Sequence, residues 1–578
     1  MIPERISQSC VFNFFKVHVR ELSLLLFFIV FAFQISRIGF NPTDDGLILA
    51  QSKRLLLGQI PHLDFLSPRP VGSPLLHTLE ILLPFPQIFT SRLFAITEVL
   101  VTSILISEIV WRRLNWSVPN LLKHLGTVLI FVLNLHNFPL MSWHTIDGVL
   151  FCVFATWLLT KTNRKFKTLA LVSAGLMIGY APLIKQSFAP MLLVGALLII
   201  FNKEALRLRI SALIAIAIPG FFYGLWLIQA GALKTAVDQM TSGTVPAISI
   251  VWQNRSLFTN TLLFLTVLFS IASFTLKNRS GLKVSRIWRF SEFVLSFSLA
   301  AYASRVAIHG DLALTNWANP LLVLSCVAIL LTITSERQLP VGQIVIVSIA
   351  AMITLSWGYP NPNLLSGGLL VITVYPLAIY VATFTNQVKL SDIFKQLVGV
   401  TSTIVLLACS TAMWCWAESV RENSVYRDLS FNLQTESLTD ISPELAGVRS
   451  NPQLAQYLGD VKNCLQNYSA ENLAVLPDGA IVPFIFEKRN PLRIDWWTPS
   501  ELVVEPLPLF IDNRLPKNYL ILFQSFSMPT VAGSLSLPPA TSLDSIFSYY
   551  ENSMRKLFDE IPGETVYCGS LIGKYRSL

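Results

Sequence analysis

Two adjacent aspartates, Asp44 and Asp45, follow directly on an apolar run, and a carboxylate placed there can take a proton from an incoming hydroxyl. The plainer use of such a pair is structural: Thr43 suits a helix N-cap, and the exposed amides of a first turn favour anions. Beyond them, "PHLDFLSPRPVGSP" carries Asp64 and Arg69 between prolines. "LNLHNFPLMSWHTIDGVLF" then brings His136, His144 and Asp147, the last two spaced to share one helix face. Finally "APLIKQSFAP" sets Lys185 and Gln186 at the end of an apolar run, flanked by Pro182 and Pro190. Lys185 there either snorkels to a membrane surface or offers a cation to a lipid-linked phosphate. Ionisable groups at the edges of apolar spans are costly and usually face a cavity.

The elements that must position these groups are membrane spans. Of 578 residues 53% are hydrophobic and 13% charged, and the apolar residues come in runs of about 18 to 22, the length that crosses a hydrocarbon core. Thirteen spans are expected, at about 22–40, 88–110, 122–141, 143–160, 168–184, 187–202, 210–230, 256–276, 291–308, 317–334, 341–357, 366–384 and 396–415. The first is too long for a signal-peptide core and lacks a small-residue cleavage site, so it reads as retained. Basic residues alternate between sides as topology demands. Arg5, Lys16 and Arg20 precede the first span, and further clusters fall at Arg112 to Lys123, Lys161 to Lys167, Lys203 to Arg209 and Lys277 to Arg289. The loops 137–143, 309–316 and 358–365 hold no Lys or Arg. The N-terminus is therefore expected in the cytoplasm of a cell with the chain in its inner membrane, and everything past about Trp416 outside.

This organisation gives a membrane domain, 1–415, with a first extracytoplasmic loop at 41–87, and an extracytoplasmic α/β domain, 416–578. In the loop, Asp44 to Leu57 reads as an amphipathic helix on the membrane surface, stopped by Gly58. In the tail, "NLAVLPDGAIVPFIFEKRNPLRI" alternates short β-prone runs with turn signals, "NYLILFQ" suits a buried strand, and "SLDSIFSYYENSMRKLFDEI" has helical spacing. Trp496 and Trp497 serve either as tail core or as a stacking surface for a sugar. Of seven cysteines, Cys464 and Cys568 lie in the tail, where an oxidising compartment would allow a disulfide and a reducing one would leave two thiols. The net charge of +9 is accounted for by the cytoplasmic loops, so nucleic acid is not an expected partner. No Cys-x-x-Cys, His-Glu-x-x-His or glycine-rich phosphate loop is present, so neither structural zinc nor a bound nucleotide is expected, and no cofactor is assigned. Asp and His at the cleft mouth leave a divalent ion open.

The acidic pair followed by Gly46, with "RLLLGQIPHLDFLSPRPVGSPLL" after it, resembles the bacterial multi-span glycosyltransferases of the GT-C fold. These are the group related to protein O-mannosyltransferases and aminoarabinose transferases. The segments "LIKQSFAPMLL" and "VLPDGAIVPFIFEKRNPLR" are similar to parts of the same group, and the likeness covers most of 20–200 and parts of 420–578. The resemblance implies a GT-C-like fold and transfer of a sugar from a polyprenyl-phosphate donor to a protein, lipid or polysaccharide acceptor on the outer face, with inversion. It matches Asp44, with Asp45 beside it, to the catalytic acid of the first loop; relatives carry Asp-Glu, so the second side chain is shorter here. Lys185, Gln186, Arg69, His144 and Asp147 are the candidate substrate-binding residues. A transporter or flippase, with Asp147 and Lys185 as coupling or binding groups, is the alternative from another class, and a non-catalytic envelope assembly protein a third.

Overall fold

The computed structural model describes residues 25–42, 44–112, 121–135, 141–160, 166–242, 282–309, 318–336, 338–357, 364–387, 431–477, 479–496, 516–524 and 551–577, with isolated positions at 114, 268, 272 and 510–511. The membrane part is helical: α1 (Leu25–Ile35), α2 (Asp44–Leu56), α3 (Gly72–Ile81), α4 (Gln87–Trp111), α5 (Leu121–Leu135), α6 (His144–Thr160) and α7 (Lys167–Ile184). There follow α8 (Pro190–Ile200), α9 (Leu206–Gln229), α10 (Leu233–Ser242), α11 (Leu282–His309), α12 (Ala318–Glu336), α13 (Val341–Trp357) and α14 (Ser366–Gln387). Among the described residues α4, α7 and α9 are long and apolar enough to cross a membrane, and shorter apolar helices stand at most of the other expected positions. The expected spans at 256–276 and 396–415 lie outside the described residues but for positions 268 and 272.

Helices approach closely where the sequence supplies small side chains. On α7, a Cβ at Gly175 would come 2.3 Å from the Ala212 carbonyl of α9, and one at Gly179 would come 2.0 Å from that of Ile216. One continuous apolar core joins α1, α4 to α9 and α11 to α14, with Phe28 and Phe131 edge to face at 5.0 Å.

The tail is an α/β unit. Strands β1 (Glu436–Ser437) and β2 (Arg449–Ser450) form a small antiparallel pair. The main sheet runs β3 (Asn472–Leu476), β4 (Tyr519–Gln524), β6 (Leu571–Arg576), β5 (Glu564–Cys568), with β3 and β4 parallel and the rest antiparallel. Helix α15 (Pro452–Asn467) starts with Asn451, whose side chain accepts the Leu454 amide at 2.9 Å as an N-cap should, and buries Leu454, Tyr457, Leu458 and Val461. Cys464 on this helix and Cys568 on β5 are joined in a disulfide. The strand expected in "NYLILFQ" is β4, buried along its whole length. The apolar run after Gly479, read as β-prone, instead forms the short helix α16 (Val482–Ile485), with Pro483 in its first turn where its missing amide is harmless. Of the helix expected at the end of the tail, Glu551–Glu560 (α17) is described.

The first loop is where the two parts meet. Helix α2 does not lie along a lipid surface; Leu47, Ile48, Leu49, Gln51, Ser52 and Arg54 are all buried. One face packs on α3, where Ser52 Oγ donates to the Pro74 carbonyl at 2.7 Å. The other meets the tail, and at Gly46 any Cβ would overlap the Ile481 side chain. Arg54 pairs with Asp495 at 2.8 Å and donates to the Leu492 carbonyl at 2.8 Å. The Leu66 amide donates to the Arg493 carbonyl, and the Arg449 amide to that of Arg37, each at 2.7 Å. Gly58 ends α2 at φ +79°, a conformation that favours glycine, as the sequence indicates.

Candidate active-site cleft

Asp44 opens α2; its side chain lies outside the described residues, as do Thr43, His136 and Trp497. Asp45, one residue on, is buried against Arg92 of α4. The Arg92 Nε donates to Asp45 Oδ1 at 3.3 Å, and a second guanidinium nitrogen bonds Oδ2. The same guanidinium donates to the carbonyls of Ser36 at 3.0 Å and Gly39 at 2.6 Å. Arg92 therefore gathers the turn between α1 and α2 around one buried charge pair, and that turn sets where Asp44 begins the helix.

Loop residues 59 to 71 are held by α9 and α10. His62, at φ +66°, bonds Gln239 through Nδ1 and Tyr223 through Nε2, both at 3.1 Å, and Gln239 donates back to the His62 carbonyl at 3.0 Å. The Gln186 amide donates to the Pro68 carbonyl at 2.8 Å, and Tyr180 to the Gly72 carbonyl at 2.8 Å. These bonds bring Arg69 and the α7–α8 corner to one place. Lys185 there is buried in extended backbone, and its Nζ donates to Thr145 Oγ1 at 3.0 Å.

The result is a cleft lined by Leu47 and Gln51 of α2, Leu66 to Arg69 of the loop, His144 of α6, and Asp495 and Trp496 of the tail. His144 is 2% exposed, and neither ring nitrogen has a hydrogen-bond partner among the described residues. Gln51 Oε1 and Asp495 Oδ2 are likewise buried and unpartnered. The electrostatic neighbours of His144 are Arg69, Lys185 and His77.

Asp147 goes elsewhere. Although it shares a helix with His144, it is fully buried against α3, accepting from Ser73 and facing His77 Nε2 at 3.2 Å. His77 Nδ1 meets Glu80 at 2.6 Å, and Glu98 of α4 interacts with Asp147 as well. His77, Glu80 and Glu98 were not singled out in the sequence; the i,i+3 pair in "HTLE" and an acid inside an apolar span were the available signals. Burial works to lower the His77 pKa, but Asp147 and Glu80 outweigh it and hold His77 well above the usual histidine value. A raised folded pKa means stability fully present below the unfolded value of about 6.5 and lost as pH rises through the folded pKa. Thermal unfolding in detergent should therefore show the melting temperature falling on the alkaline side, and His77→Gln should flatten that limb. An unchanged alkaline limb in His77→Gln would remove His77 from the account.

Among the described residues no three His, Cys, Asp or Glu side chains are grouped to hold a metal ion. No family model matches the chain, and neither does any curated protein. Among solved structures, the crystal structure of ArnT from Cupriavidus metallidurans in the apo state matches over 90% of this chain and 96% of that one, at 11% identity and a TM-score of 0.37. Likeness of that degree carries no functional argument, which falls to the residues of the cleft.

Proposed function

We propose that the chain is an integral membrane glycosyltransferase that moves a sugar from a polyprenyl-phosphate donor to a protein, lipid or polysaccharide acceptor on the extracytoplasmic face. One observation carries this reading: buried polar atoms of His144, Gln51 and Asp495 stand unpartnered around one cleft beside two cations, Arg69 and Lys185. Folded proteins leave few buried polar atoms unmade, so several around one cleft favour a ligand rich in hydroxyls. Cations at the depth of a lipid head group favour a phosphate on the same ligand. In the reaction, Asp44 takes the proton of the acceptor hydroxyl as its oxygen attacks the anomeric carbon. The bond from that carbon to the phosphate oxygen breaks, and the polyprenyl phosphate leaves as an anion stabilised by Lys185 and Arg69. Attack opposite the leaving group inverts the anomeric centre. His144, Gln51 and Gln186 hold sugar hydroxyls, Asp45 fixes the turn that carries Asp44, and Asp147 orients α3 through Ser73 and His77.

The test uses membranes from cells with and without the protein, offered a panel of radiolabelled polyprenyl-phosphate sugars. Label is followed into protein, lipid and polysaccharide. Transfer from one donor into one fraction, dependent on the protein, is expected and identifies the acceptor. No protein-dependent transfer from any donor would end the proposal and favour the transporter reading.

A further inference from the structure

Away from the cleft, a second cavity of about 590 Å³ opens at the junction of α1, α4 and the tail. Its walls are largely apolar: Phe85 just before α4 and Phe89, Leu93 and Phe94 on it line one side, and Ala446 and Gly447 of the turn before β2 line it from the tail. Phe85 is 60% exposed and Phe94 is 42% exposed, so the cavity is open to the side of the helix bundle. The one charged residue on its wall is Arg37, at the end of α1.

Arg37 is unusually placed for an arginine. Its guanidinium carbon lies 4.0 Å from the centroid of the Phe33 ring and 5.9 Å from that of Phe89. Its Nε is buried with no hydrogen-bond partner, and among the described residues no carboxylate pairs with it. Glu444 of the tail accepts the Gln87 amide at 3.2 Å. The backbone around Arg37 is pinned, with its carbonyl accepting the Arg449 amide at 2.7 Å. A guanidinium set over an aromatic face still has N–H groups to offer an acceptor, and a phosphate is the acceptor that suits their fork. An apolar trough beginning at the same point suits an acyl chain.

We infer that this cavity binds an anionic phospholipid of the surrounding bilayer, its phosphate on Arg37 and an acyl chain along Phe89, Leu93 and Phe94. The site stands apart from the proposed sugar cleft and does not depend on the transferase reading. Because the tail turn at Ala446 and Gly447 lines the cavity, the lipid touches membrane helices and tail at once and strengthens their docking.

The test uses the full-length protein in nanodiscs of phosphatidylcholine alone or of phosphatidylcholine mixed with phosphatidylglycerol. Lipid retained after release is counted by native mass spectrometry, and the thermal midpoint is recorded in each bilayer. The wild type should keep phosphatidylglycerol in preference to phosphatidylcholine and melt higher in the mixed bilayer. Arg37→Gln should lose that preference by tenfold or more, and Arg37→Lys should keep part of it. Leu93→Trp, which fills the trough and leaves the guanidinium in place, should lower retention of both lipids and gives a second route should Arg37→Gln fold poorly. Equal retention of the two lipids by the wild type, an undiminished preference in a folded Arg37→Gln, or undiminished retention of both lipids in Leu93→Trp would overturn the inference.

Discussion

Membranes carrying Asp44→Asn should transfer sugar some 10²- to 10⁴-fold more slowly than wild type at equal protein abundance, the range in which a positioned general base contributes. Asparagine keeps the size of the side chain and removes its basicity, so the loss should fall on turnover rather than on folding. Asp45→Asn is the informative partner. It weakens the buried pair with Arg92, so its deficit should show as reduced abundance and a lowered melting temperature, with the protein that remains folded still turning over. Equal turnover by wild type and Asp44→Asn would make Asp44 a helix-cap residue and move the search for the base to other acids of the outer face. A loss of turnover confined to Asp45→Asn would reverse the division of labour between the two aspartates.

Arg92→Ala should be the most damaging change to stability, about 3–5 kcal/mol, because it takes the guanidinium away from the buried Asp45 charge. The Ser36 and Gly39 carbonyls lose their donor in the same step. Denaturant or thermal unfolding of the purified protein would measure this. The double change Arg92→Met with Asp45→Asn should recover a good part of the loss, since it removes both charges together. Failure of the double variant to recover anything would shift the weight to the two carbonyl contacts.

How much of this was legible beforehand depended on distance along the chain. The apolar runs placed the helices, and Gly58 placed the end of α2, because both signals are local. Helix α3 went unmarked in the sequence because Pro74, which lies in its first turn where a proline is tolerated, serves equally well in a turn. The run at 480–486 was ambiguous between strand and helix, as short apolar runs are. Spacing correctly put His144 and Asp147 on one helix, yet it could not show that they serve different neighbours: one lines the cleft, and the other is taken by Ser73 and His77. Arg92 carried no local mark of its role, since its partner lies 47 residues earlier. The contribution of Asp495 to the cleft was beyond any local pattern, since it depends on a docking across most of the chain.

That docking has a consequence for the order in which the protein is made. Arg54 and Asp495 are 441 residues apart. At roughly 5–20 residues per second, a ribosome takes about 20–90 s to travel from one to the other. For that interval the first loop has been made but its helix is uncovered, with Asp495 not yet available to Arg54 and one wall of the cleft missing. A chain cut short before Asp495 thus lacks the tail wall of the cleft. The cleft is complete only once Asp495 and Trp496 have docked on the first loop.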